Sequence, residues 1–147
     1  QMAPESIIPL YLKNAINPAL HDLSYETPFM VDSNDITEPM RKKILGAITS
    51  SKENWIIITH GTDTMSVTAE FLKEQLPPTH GRTIIITGSM TPLREFTLSD
   101  GSFNLGYAIS ALEHLDPGIY MAMHAQVFPA GDVLKDRATA RFEFKDL

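Results

Sequence analysis

The sequence predicts an α/β fold of three layers, helix on sheet on helix, with a mostly parallel sheet and a carboxyl-terminal hairpin. Three observations carry that reading. Trp55-Ile56-Ile57-Ile58-Thr59 and Thr83-Ile84-Ile85-Ile86-Thr87 are continuous apolar runs without polar alternation, as expected of strands buried on both faces. Gly118-Ile119-Tyr120-Met121-Ala122-Met123 is a third run of the same kind. Between the runs, apolar residues recur at helical spacing. Parallel strands need such crossover helices, and the crossovers are expected to be right-handed.

Taken in order, residues 7–16 carry apolar side chains at 7, 8, 10, 12, 15 and 16 among Pro4, Pro9 and Pro18, which predicts a short or interrupted helix. Glu26 to Val31 reads as a brief extended run. It ends in Asp32-Ser33-Asn34-Asp35, whose side chains bond their own backbone and favour turns. Thr37 is placed to cap a helix in which Met40, Ile44, Ala47 and Ile48 share a face, with Glu38 and Pro39 in its first turn. The first apolar strand spans residues 55–60. Met65, Ala69, Leu72 and Leu76 mark the next helix, which Pro77 and Pro78 stop. After the strand at 82–87, Gly88-Ser89 closes it and residues 90–101 form a polar loop. Leu105, Ala108, Ile109, Leu112 and Leu115 then mark a helix that leads to the third strand. The tail, residues 126–144, is expected to be a hairpin turning around Pro129-Ala130-Gly131-Asp132.

Composition narrows the function. The 147 residues, 43% hydrophobic, suffice for one domain with a substantial core. A net charge of -6 with scattered Lys and Arg argues against a nucleic-acid surface. The absence of cysteine excludes a disulfide framework, a thiolate zinc site and a cysteine nucleophile. His21, His60, His80, His114 and His124 show no metal-ligand spacing, and no apolar run approaches the length of a membrane span. The chain opens on Gln1, so an upstream segment is expected.

Chemistry is expected where the first apolar strand ends in His60-Gly61-Thr62-Asp63-Thr64. Open parallel sheets bind ligands at the carboxyl ends of their strands. A threonine hydroxyl needs a base such as a lysine, oriented by a carboxylate, before it becomes a nucleophile. Asp63 adjoins Thr62 and supplies a carboxylate; alternatively, Thr62 or Asp63 only caps the following helix. Thr87-Gly88-Ser89-Met90 ends the neighbouring strand, and Ser99-Asp100-Gly101-Ser102-Phe103-Asn104 follows in its loop. Together the two loops would form a polar crevice. Ser33 and Asn34 offer a hydroxyl and an amide suited to a carboxylate, or serve as caps. Nothing in the spacing of Lys135 distinguishes it from a solvated charge.

The combination of Asp32-Ser33-Asn34-Asp35-Ile36-Thr37, Thr59-His60-Gly61-Thr62-Asp63-Thr64-Met65, Thr87-Gly88-Ser89-Met90-Thr91-Pro92-Leu93 and Ser99-Asp100-Gly101 with Asn104-Leu105 resembles the bacterial-type L-asparaginases, in particular their cytoplasmic type I branch. The resemblance runs from about residue 24 to 144 and covers the amino-terminal domain of that two-domain family. It implies hydrolysis of the side-chain amide of L-asparagine, or of L-glutamine, through a threonine acyl-enzyme. It also implies a homo-oligomer in the cytoplasm, a small-molecule amino-acid substrate, and no metal or cofactor. Position by position, Thr62, Asp63 and Lys135 would be catalytic. Asp63 would also hold the α-ammonium group and Ser33 the α-carboxylate, while Asn34, Gly61 and Ser89 would line the pocket.

The family's Gly-Gly-Thr-Ile strand and its mobile tyrosine loop have no counterpart in residues 1–147. The expectation is therefore a single asparaginase-like domain that lacks its first strand and has no carboxyl-terminal domain. The alternative is a catalytically incomplete amino-acid-binding or regulatory module with the same pocket.

Overall fold

The computed structural model describes residues 6–17, 22–90, 99–136, 138–139 and 141–145. Helix α1 (Ile8–Ala15) carries Pro9 in its first turn, where the missing amide hydrogen forfeits no intrahelical bond. Of the two expected forms, short or interrupted, the helix takes the short one, eight residues long, and Pro9 opens it. Residues 26–31, expected to be extended, form no strand in either sheet: Pro28 has no amide hydrogen for a ladder, and Met30 and Val31 stay exposed. A single 3₁₀ turn follows at Ser33–Asp35, and Asp32 caps it by accepting from the Asn34 amide. Helix α2 (Glu38–Ser50) begins at the expected cap, with Thr37 Oγ1 accepting from the Met40 amide, and buries Ile44 and Ile48.

The alternation then proceeds as expected through β1 (Trp55–Thr59), α3 (Met65–Gln75), β2 (Thr83–Thr87), α4 (Gly101–Leu112) and β3 (Gly118–Met123). Residues 91–98 of the polar loop lie outside the described residues. Helix α4 ends at Leu112, so Leu115 falls beyond it but still packs on the same core face. Strands β1, β2 and β3 run parallel in that order, and β4 (Gln126–Pro129) adds antiparallel to β3. Strands β5 (Val133–Asp136) and β6 (Arg141–Phe144) form the carboxyl-terminal hairpin as a separate two-stranded sheet.

The turn at 129–132 is not the tip of that hairpin; it carries the chain from β4 to β5. A tight turn lies earlier, where His124 and Ala125 both adopt positive φ (52° and 63°) between the paired residues Met123 and Gln126. Positive φ at both central residues matches the twist of a two-residue hairpin. His and Ala do not advertise such a turn as Asn-Gly would.

Two apolar clusters show which helix covers which face. Ile84 and Ile86 of β2 pack with Met121 and Met123 of β3 against Ile44 and Ile48 of α2 and Met65, Ala69 and Leu72 of α3. The intervening Ile85 and Ala122 pack instead against Ala108 and Leu112 of α4. Helices α2 and α3 therefore cover one face and α4 the other. The steps β1 to β2 and β2 to β3 run in the same direction between parallel strands, yet their crossovers lie on opposite faces. Two such steps have opposite hands. One of the two crossovers is thus left-handed, contrary to the expectation, and departs from the usual preference of parallel connections.

Because α3 and α4 depart to opposite faces, the loops after β1 and β2 diverge at the carboxyl edge of the sheet. Such a divergence opens a crevice between adjacent strands. At its base the His60 amide donates to Thr87 O at 2.9 Å, and a Cβ on Gly88 would run into the His60 carbonyl oxygen. Gly88→Ala is expected to cost at least about 2 kcal/mol in urea unfolding. Gly46→Ala in α2, where an added Cβ meets nothing within 4 Å, is expected to add about 0.5–1 kcal/mol. Equal effects of the two substitutions would contradict the close approach at Gly88.

Candidate active site

Strand β1 ends at Thr59 and α3 starts at Met65, leaving residues 60–64 to turn over the sheet edge. The N-cap position is Thr64, one residue beyond the pair for which capping was the alternative reading. Thr64 does not spend its hydroxyl on the helix; Oγ1 donates to Ser33 O at 2.6 Å. Gly61 lies so close to Ser33 that a Cβ there would stand 2.6 Å from Ser33 Cβ and 2.9 Å from its Oγ. Only glycine lets the 33–35 turn settle onto the 61–64 loop. Ser33 is buried as a result, at 3% exposure.

Asp63 joins these segments to the carboxyl-terminal hairpin. Its Oδ2 accepts from Asn34 Nδ2 at 3.0 Å, and its Oδ1 accepts from Lys135 Nζ at 2.7 Å. Asn34 is held in turn by Asp32 Oδ1, which takes both its backbone amide (2.9 Å) and its side-chain amide (3.2 Å). Lys135 Nζ also donates to Thr62 Oγ1 at 2.9 Å. The Lys135 and Asp63 side chains are 17% and 35% exposed, so their attraction is less screened than that of a surface pair. An amine touching both a hydroxyl and a carboxylate can exchange a proton with the first while the second fixes its position.

The sequence-predicted residues Ser33, Asn34, Gly61, Thr62, Asp63 and Lys135 are thus brought together. Ser89 stands at the end of the neighbouring strand, half-buried, directly after Gly88. The chain around it is anchored by Asp100 and Asn104, which the sequence placed in the polar crevice without individual roles, and by His124. Asp100 carboxylate oxygens accept from the Met90 amide at 2.9 and 3.1 Å, Asn104 Nδ2 donates to Gly88 O at 2.9 Å, and His124 Nε2 meets Asp100 Oδ2 at 2.7 Å. Asn104 is fully buried, and its Oδ1 accepts from the His124 amide at 2.9 Å. The tight turn at 124–125 is what brings that histidine back over α4.

A second group escaped sequence reasoning. His60 Nδ1 lies 2.7 Å from Gly61 O, and Nε2 lies 2.8 Å from Thr68 Oγ1. Arg41 Nε donates to the same Thr68 oxygen at 2.9 Å, and Arg41 Nη1 donates to Ile36 O at 3.3 Å. Burial lowers the His60 pKa, and the Arg41 charge lowers it further against the opposing pull of the Gly61 carbonyl. The only local signal was a histidine beside the glycine; its partners come from α2 and α3, which only packing brings together.

Comparison with known proteins places these features in a family. Residues 5–147 match the family model described as "Asparaginase, N-terminal". The glutaminase-asparaginase of Acinetobacter glutaminasificans is 32% identical over 128 residues, covering 80% of this chain and 38% of that protein. L-asparaginase 1 of Escherichia coli K12 is 41% identical over 81 residues, covering 54% of this chain and 23% of that protein. Among solved structures, L-asparaginase I from Vibrio cholerae superposes with a TM-score of 0.80 at 26% identity, over 94% of this chain and 44% of that one. A probable cytoplasmic L-asparaginase from Campylobacter jejuni gives 0.73 at 25% identity, over 87% and 41%. The chain therefore spans less than half the length of each of these relatives.

The lowered pKa of His60 has a consequence for stability. The folded state resists protonating this ring, whereas the unfolded chain takes the proton near the ordinary value of 6.5. Stability is therefore retained above that value and lost as the pH falls below it, down to the folded-state pKa. Melting temperatures at pH 7 and pH 5 are expected to differ more in the parent than in His60→Asn, which cannot titrate. Equal losses would show that His60 is not held neutral by its surroundings.

Proposed function

Because the chain belongs to the asparaginase family, within its amino-terminal part, we propose that it acts as an amidohydrolase converting the side-chain amide of L-asparagine to aspartate and ammonia through a threonine acyl-enzyme, with L-glutamine as a further substrate. The observation that carries this reading is Lys135 Nζ, 2.9 Å from Thr62 Oγ1 and 2.7 Å from Asp63 Oδ1. Thr62 Oγ1 attacks the amide carbon while its proton passes to Lys135 Nζ, the base that Asp63 holds in place. The lysine then returns the proton to the departing nitrogen, ammonia leaves, and water hydrolyses the ester to free Thr62. No cofactor or metal enters this sequence.

Substrate recognition follows the same residues. A free amino acid is a zwitterion and needs an acceptor and donors close together. Asp63 supplies the acceptor for the α-ammonium group, Ser33 contacts the α-carboxylate, and Asn34, Gly61 and Ser89 line the pocket. The positive end of α3, starting at Met65, lies beside them. The same reading treats residues 1–147 as one unit, because Val133 and Phe142 of the β5–β6 hairpin share a core cluster with α3 and the main sheet. It also includes a homo-oligomer, with exposed Trp55 at the sheet edge as a contact, and a cytoplasmic location like that in the description of the Campylobacter protein.

Ammonia release with millimolar L-asparagine is expected from the parent, and Thr62→Ala should lower it by roughly a hundredfold or more. Millimolar L-aspartate should raise the melting temperature, and Asp63→Ala should abolish the shift. A shift without ammonia would identify an amino-acid-binding module. Ammonia at equal rates from parent and Thr62→Ala would refute the threonine mechanism.

A further inference from the structure

The Gly61–Thr62 peptide has only glycine conformational preferences on one side, yet Thr62 must meet Lys135 within hydrogen-bonding distance. Something outside the loop has to fix it. Gly61 O faces His60 Nδ1 at 2.7 Å, so a proton on Nδ1 would make this contact a hydrogen bond, whereas a bare Nδ1 would oppose two lone pairs. Which nitrogen carries the proton depends on the other side of the ring. There, Nε2 faces Thr68 Oγ1 at 2.8 Å, and that oxygen already accepts from Arg41 Nε at 2.9 Å. Arginine can only donate. The Thr68 hydroxyl, which both donates and accepts, can give its single proton to Nε2, whereas the Gly61 carbonyl can only accept and so takes the ring proton on Nδ1.

We infer that His60 is a positioning residue, held by the Arg41–Thr68 pair as the Nδ1–H tautomer so that it grips the Gly61 carbonyl and fixes the peptide leading into Thr62. Thr68 is fully buried, so its hydroxyl meets these side chains rather than bulk water. Arg41 also holds Ile36 O at 3.3 Å, at the end of the turn bearing Ser33 and Asn34. One guanidinium therefore references both ligand-bearing loops to α2 and α3. His60 does not touch the reacting atoms; it acts through the backbone of the residue before the nucleophile. The inference deepens the amidohydrolase reading and rests on it for the ligand, while its geometry stands apart from any activity.

The test uses the full chain labelled with nitrogen-15 and compares the parent with Thr68→Ser, which keeps the hydroxyl, and Thr68→Val, which removes it at nearly constant volume. Histidine ring spectra report the tautomer, the Thr62 and Asp63 amide signals report the loop, and L-aspartate titration reports the pocket. The parent and Thr68→Ser are expected to show Nδ1–H at His60 with matching Thr62 and Asp63 amides. Thr68→Val should lose the single tautomer, shift both amides, and bind L-aspartate about tenfold more weakly. Arg41→Met offers an independent route if Thr68→Val does not fold: it removes the donor that orients the Thr68 hydroxyl, and should yield a mixture of tautomers. An Nε2–H or charged ring in the parent at pH 7, or a changed tautomer with unmoved Thr62 and Asp63 amides, would overturn the inference. If the parent fails to bind L-aspartate, the amidohydrolase reading fails, and the tautomer and amide signals still decide the role of His60.

Discussion

Strands β1 and β2 lie side by side and parallel, and the helices that follow them leave for opposite faces of the sheet. Most of what distinguishes this molecule depends on that divergence. If both helices covered one face, the segments at 60–64 and 88–90 would run together over the same layer and close the sheet edge. Instead a gap opens between them, floored by the Thr87–His60 backbone bond and by the glycine at 88 that lets the two chains approach. The cost is a crossover of the disfavoured hand. It is sustained by burial on both sides, since Ile84 and Ile86 face α3 while Ile85 faces α4, all with no exposure.

The hairpin β5–β6 supplies the remaining constraint. Val133 and Phe142 enter the main core, and Phe128 of β4 meets Phe144 with ring centroids 4.7 Å apart. Side chains alternate along a strand, so Lys135 shares the face of Val133 and is carried to the margin of the core. Apolar packing behind the hairpin thus sets the position of the amine in front. Asp63 then serves as the meeting point of three chain segments, with Asn34 on one oxygen and Lys135 on the other. Removing a partner from such a half-buried carboxylate loosens the other contacts as well.

Local patterns made much of the fold legible. The three apolar runs, the helical spacing of Met65, Ala69 and Leu72, and the Thr37 cap all correspond to observed elements. What failed was non-local or chemically disguised. The hand of a crossover is not written in the periodicity of its helix, and the 124–125 turn uses His and Ala where glycine or asparagine would have signalled it. In the site, Thr62 and Asp63 stood out because they follow a continuous apolar strand directly, although that strand lies at the sheet edge and is only partly buried. Lys135, 72 residues beyond Asp63, had no local mark; only its resemblance to a family lysine singled it out. Arg41 and Thr68 had neither, because the contact between them exists only once α2 packs on α3.

The central claim is that one amine, one hydroxyl and one carboxylate form a pocket for a free amino acid. A structure of the chain with L-aspartate bound would test it most directly. The account predicts the ligand's side-chain carboxylate beside Thr62 Oγ1, its α-ammonium group on Asp63 and its α-carboxylate at Ser33, with Lys135 still bridging Thr62 and Asp63. A ligand lodged elsewhere, or Lys135 withdrawn from Thr62 while the ligand occupies the crevice, would contradict it.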